Sequence, residues 1–85
     1  MATNKTKKYH LYGTLLLEGG VELNFDNGYV SFYEDLPDWA TTLVDGFELP
    51  SDKLILVTEQ GTGRDFYVPT NRILAYYVDI FEEEF

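Results

Sequence analysis

The run Val21-Glu22-Leu23-Asn24-Phe25 alternates apolar and polar side chains without a break. Only an extended strand, with its period of two, turns three such apolar side chains to one face, so the run reads as a half-buried β-strand. Its flanks extend the reading. Gly19-Gly20 signals a turn, and before it Tyr9 to Glu18 reads as another strand. There Tyr9, Leu11, Leu15 and Leu17 share one parity, and His10, Tyr12, Thr14 and Leu16 the other. After the run comes Asn27-Gly28, the favoured pair for a two-residue type I′ hairpin, because both positions need positive φ. Tyr29 to Tyr33 is then predicted to return as a third strand, which makes residues 9–33 a three-stranded meander.

The period changes next. Leu36, Trp39, Ala40, Leu43 and Val44 fall at helical spacing, Pro37 suits a first turn, Asp38 the positive end of the dipole, and Gly46 a C-terminal cap. The spacing predicts a short helix over 37–45 that must lean on the sheet to persist. The last third returns to strand. Lys53 to Glu59 and Asp65 to Val68 flank the turn Gly61-Thr62-Gly63, Pro69-Thr70-Asn71 breaks the run, and Ile73 to Ile80 is a final apolar strand. Leu54–Val57 and the final strand are apolar on both faces, which calls for a closed barrel, a covering helix or a subunit interface. The expected fold class is α+β and mostly β: a small antiparallel sheet or partly closed barrel with one short helix.

Eighty-five residues make one domain, and a chain this short buries only about 60–65% of the surface its unfolded form exposes. Of seven Tyr, six Phe and one Trp, each with a large area to bury, most are expected in the core or on strand faces and a minority on a contact surface. The absence of cysteine excludes disulfides, thiolate metal sites and cysteine nucleophiles, and it favours the cytoplasm. No apolar stretch follows the N-terminal lysines as in a signal peptide, and none is long enough to span a bilayer. The expected organisation is a flexible basic N-terminal arm (1–7), a single β-rich domain (8–81) and an acidic C-terminal tail (82–85).

The net charge of −9 is unevenly placed. Lys5, Lys7 and Lys8 make the start basic, whereas Tyr9 to Asp52 contains nine acids and no Lys or Arg. Charges then balance as far as Phe81, and Glu82, Glu83 and Glu84 follow. A field of this sign repels phosphate backbones and anionic membranes and steers the protein towards basic surfaces. Direct nucleic-acid binding, which needs clustered Lys and Arg, is disfavoured.

Catalytic signatures are missing. His10 is the one histidine, and neither Ser31 nor Ser51 lies in a nucleophile turn. No stretch matches a calcium loop and no carboxylate pair stands out, so neither catalytic residues nor metal ligands nor cofactors are assigned. Two segments have a binding character. Tyr33, Glu34, Asp35, Asp38 and Trp39 set three acids between two large aromatics, a combination suited to a basic protein surface. Gly61, Thr62, Gly63 and Arg64, with Arg72, form an alternative anion-binding set, in which glycine amides and an Arg pair would receive a nucleotide or other anion.

A strand-rich chain with a short helix and a terminal apolar strand resembles, in architecture, small barrels of the Sm-like or SH3-like kind. The helix here sits mid-chain instead of at the start as in Sm proteins, and no motif carries RNA binding over. A short, cysteine-free, strongly acidic chain without catalytic signatures also resembles phage-encoded inhibitors of host defence or transcription proteins. The function expected is a non-enzymatic protein–protein interaction module, a phage or mobile-element inhibitor whose acidic face blocks a basic nucleic-acid-binding surface of a host protein. The alternatives are an oligomeric small-anion binder or sequestering protein, and a structural or assembly subunit. Homo-oligomerisation is compatible with each.

Overall fold

The computed structural model describes residues 7–84. Strand β1 (Lys7–Leu17) turns at Gly19-Gly20 into β2 (Val21–Val30), and the two pair antiparallel. A 3-10 turn at Tyr33–Asp35 leads to helix α1 (Asp38–Val44). The hairpin β3 (Leu54–Thr58) and β4 (Asp65–Pro69) follows, and β5 (Ile73–Glu84) returns antiparallel along β1. One sheet has the order β2-β1-β5 and the other is the β3-β4 pair. The class is α+β and mostly β, with a partly closed arrangement and no closed barrel.

The meander is replaced by a different three-stranded sheet. Asn27-Gly28 makes no hairpin turn, because β2 runs straight through it and Tyr29 and Val30 continue to pair with β1. The pair forms a β-bulge instead: Leu11 faces Gly28 and Tyr12 faces Asp26, so Asn27 is the extra residue. Gly28 sits at φ 78°, the positive φ that the sequence anticipated, used here to kink a strand. The third strand is β5, brought from the far end of the chain.

The bulge also joins the two sheets. It turns the Asn27 carboxamide sideways, where Nδ2 donates to the Leu56 carbonyl (3.1 Å) and Oδ1 accepts the Thr58 N–H (2.9 Å). A side chain thus substitutes for a strand's peptide group. Beside it, Phe25 bridges Glu59, and Gln60 N–H donates to the Asn24 carbonyl at 2.9 Å.

The core lies between the two sheets and α1. Leu11 and Leu15 of β1, Leu23 and Phe25 of β2, Leu36 and Ala40, and Ile55, Val57 and Val68 of the hairpin form one buried cluster. The parities read for β1 and β2 are those observed. Gly13 sits on this inner face where the β5 backbone crosses closely: a Cβ there would lie 1.9 Å from the Tyr77 carbonyl oxygen and 3.0 Å from Phe25 Cζ. Helix α1 leans on β5, as its length requires. It ends as expected at Gly46 (φ 86°), with Phe47 N–H donating to the Thr42 carbonyl and Gly46 N–H to that of Leu43, a Schellman arrangement.

The chain ends also differ from expectation. Lys7 opens β1, while the rest of the expected basic arm lies outside the described residues. Glu82, Glu83 and Glu84 are no separate tail; they extend β5 and face Tyr9, Lys8 and Lys7 in register, and Lys7 Nζ lies 3.0 Å from Glu82 Oε1. Phe85 lies outside the described residues. No helix among the described residues is long and apolar enough to cross a membrane.

Candidate interaction surfaces

The acidic–aromatic segment forms the 3-10 turn and the first turn of α1. Phe32 and Tyr33 are exposed, at 65% and 42%, and Glu34, Asp35 and Asp38 are exposed beside them. Leu36, buried at the centre of the segment, is the anchor that holds the turn against the core. Tyr33 is fixed by an edge-on contact with Tyr9, ring centroids 5.5 Å apart. Trp39 turns the other way: it is half-buried, packs on the core and meets Phe25 edge-on at 5.7 Å. The structure therefore keeps Tyr33, Glu34, Asp35 and Asp38 at the surface and assigns Trp39 to packing. Phe32 is the ring that takes the exposed place beside the acids.

The alternative anion set is dispersed. The loop between β3 and β4 uses its own donors: Gly63 N–H bonds the Glu59 carbonyl, Arg64 N–H the Thr62 hydroxyl, and Thr62 Oγ1 donates to Glu59 Oε1 at 2.6 Å. Glu59 thereby places a carboxylate where an anion would approach. Arg72 instead sits in the linking turn before β5, 3.9 Å from Glu18. It lines an apolar groove of about 530 Å³ with Leu17, Val21, Leu23, Phe66 and Tyr67, and Arg64 is not part of that groove.

A second surface, which the sequence reading missed, covers the outer face of the β2-β1-β5 sheet. The register aligns three cross-strand rows: Tyr29–His10–Phe81, Asp26–Tyr12–Asp79 and Asn24–Thr14–Tyr77. All of these but Tyr29 and Asp79, together with Gly13, Phe25 and Gln60, border a shallow depression of about 460 Å³. Its polar groups are mutually bonded. Tyr12 Oη donates to Asp79 Oδ2 at 2.9 Å and Tyr77 Oη to the same oxygen at 3.3 Å, while Thr14 donates to Asn24 at 2.7 Å. His10 Nε2 donates to Asp26 Oδ1 at 2.8 Å, and its ring stacks on Tyr29 with centroids 4.5 Å apart.

These contacts set the ionisation of the face. The hydrogen bond to Asp79, then loss of solvation and the Asp79 charge, push the Tyr12 phenol up to about 12. Loss of solvation raises Tyr29 as well, with a hydrogen bond to Glu83 adding to it. For Asp26, loss of solvation acts upwards, but the Gly28 N–H and His10 outweigh it and hold the carboxyl below its ordinary 3.8. Because Asp26 Oδ1 takes the Gly28 N–H at 2.9 Å as well as the histidine, the His10–Asp26 pair pins the bulge. No group of three or more potential metal ligands gathers among the described residues.

The parity of His10, Tyr12 and Thr14 was legible. What was not legible was β5 as the neighbour of β1, which brings Tyr77, Asp79 and Phe81 alongside. Comparison with protein-family models, curated proteins and solved structures finds no match to this chain, so its surfaces are read from geometry and chemistry alone.

Proposed function

We propose that the protein is a non-enzymatic interaction module that docks a basic protein surface through the turn Phe32–Asp38. The observation that carries this reading is the pairing of two exposed rings, Phe32 and Tyr33, with three exposed carboxylates that no described Lys or Arg neutralises. Rings of this size supply contact area at the centre of an interface, and rim carboxylates steer a cationic partner and fix its orientation. The buried Leu36 and the Tyr9–Tyr33 contact hold the turn in place before binding, which lowers the ordering cost.

The finer reading is an inhibitor, of the kind carried by phages or mobile elements, that occupies a host protein's nucleic-acid site. Its support is the charge pattern: basic surfaces that bind phosphate backbones are complementary to a lysine- and arginine-free segment running from Tyr9 to Asp52. The test compares Glu34→Lys/Asp35→Lys/Asp38→Lys with the isosteric Gln and Asn substitutions in affinity capture from the native cell type. A partner lost on charge reversal, weakened on neutralisation and released by salt supports the proposal. A partner that all variants retain equally overturns it.

A further inference from the structure

Among the described residues strand β5 is the longest, and it is hydrogen-bonded on one side only. Among the described residues no backbone group of another element bonds its outer edge. Natural proteins blunt such edges with lysines, prolines or shortness, and Ile73–Glu84 has none of these. Between Ala75 and Phe81 its sole charge is Asp79, which already serves Tyr12 of its own sheet. The edge is also apolar: Leu74, Tyr76, Tyr77 and Phe81 are 64%, 47%, 58% and 49% exposed. A strand apolar on both faces calls for a closed barrel, a covering helix or a subunit interface. No barrel closes, and α1 meets β5 without hydrogen-bonding its outer edge.

We infer that this edge pairs antiparallel with β5 of a second copy, with Val78 on the two-fold axis, to make a continuous sheet β2-β1-β5-β5-β1-β2. Self-complementarity identifies the occupant. A two-fold antiparallel pair must place a residue opposite its own counterpart. With Val78 on the axis, Tyr76 faces the partner's Ile80 on the inner side, and on the outer side Ala75 faces the partner's Phe81 and Tyr77 the partner's Asp79. The first two pairs are apolar, and in the third the Tyr77 hydroxyl, 3.3 Å from its own Asp79, meets a second carboxylate. The acidic triplets Glu82–Glu84 lie at opposite ends, where Glu82 and Glu83 face the partner's Leu74 and Ile73 and Glu84 faces the partner's Arg72. Moving the axis one residue to Asp79 would oppose two carboxylates, and a parallel pairing would bring the acidic triplets together, both of which cost stability. Charge thus selects the orientation and disfavours the register centred on Asp79.

The experiment is light scattering on the purified full chain over a concentration and salt series, with disulfide trapping. The chain has no cysteine, so a single introduced one reports on one position alone. Val78→Cys places two cysteines in a directly opposed antiparallel pair, where Cα atoms are about 4.5–5.5 Å apart and within disulfide range. The expected result is a dimer that salt strengthens, by screening two chains of net charge −9, and that mild oxidation of Val78→Cys makes covalent. Tyr76→Cys, off the axis, stays uncross-linked. A wild-type monomer at every concentration overturns the inference. So does a dimer that cross-links at Tyr67→Cys, on the outer face of the β3-β4 hairpin, and not at Val78→Cys. Because salt strengthens this association and weakens docking to a basic partner, the two proposals fail separately.

Discussion

Asn27 joins the halves of the molecule through one carboxamide that acts as a peptide group. Asn27→Ala removes both bonds to the β3 backbone and leaves a part-buried Thr58 N–H without its acceptor. The expected loss is about 1–3 kcal/mol, read from urea unfolding, since a donor left without an acceptor away from water costs its desolvation penalty. Asn27→Asp should be no better, because it keeps the acceptor for Thr58 but sets a carboxylate oxygen against the Leu56 carbonyl. Tyr12 gives a spectroscopic check on the outer face. Its phenolate band should develop near pH 12, and Asp79→Asn should bring it back towards 10.0. A phenol whose folded value is raised stabilises the fold below pH 10.0 and loses that contribution as pH rises through about 12. Asp26 has the opposite sign. Its lowered value gives stability that is present above pH 3.8 and is lost as pH falls through the folded value. Asp26→Asn should therefore flatten the acid limb of the stability curve, measured as denaturation midpoints between about pH 5 and about pH 2.

At the scale of elements, the close approach of β5 to β1 depends on Gly13. Gly13→Ala would drive a methyl into the Tyr77 carbonyl, which cannot yield without moving the strand, so a loss of about 3 kcal/mol or more is expected in thermal or urea melts. Strand and helix content, the parity of β1 and β2, and the cap at Gly46 were all legible in the sequence, because each depends on local periodicity or on one residue's φ preference. Asn27-Gly28 shows where local reading stops. The pair announces positive φ, but whether that bends a strand or reverses it depends on β1 continuing opposite Tyr29 and Val30, a long-range pairing. The same limit hid the true third strand. Nothing near Ile73–Glu84 says that it returns to β1, and so the acids at 82–84 read as a tail when they are ladder residues facing the start of β1. Trp39 was ambiguous for a related reason: its helical spacing fitted the core, its acidic neighbours fitted a surface, and Phe25 decided for the core.

Across the whole molecule, extents of 55 × 28 × 16 Å describe a thin, elongated slab whose core is one side-chain layer deep, and this is why so many large apolar side chains remain exposed. Leu54, Leu56 and Tyr67 on the outer face of the β3-β4 hairpin are examples, at 63%, 40% and 70%. Acidic groups keep such a surface from indiscriminate association, and they also select what may approach it. The exposed turn Phe32–Asp38 combines both properties at one place and joins no strand ladder, so charge changes at Glu34 and Asp35 should leave unfolding free energies within about 0.5 kcal/mol of wild type, while Asp38→Lys, in the first turn of α1, should cost up to about 1 kcal/mol. Binding and stability can therefore be separated by mutation. The most direct measurement is native mass spectrometry of the wild-type protein and the Glu34→Lys/Asp35→Lys/Asp38→Lys variant, each captured from the native cell type at low salt. The account predicts a complex of wild type with a basic protein, released by added salt and missing from the variant, while both forms remain folded. A partner that binds the variant as well as the wild type, or one that added salt does not release, would contradict it.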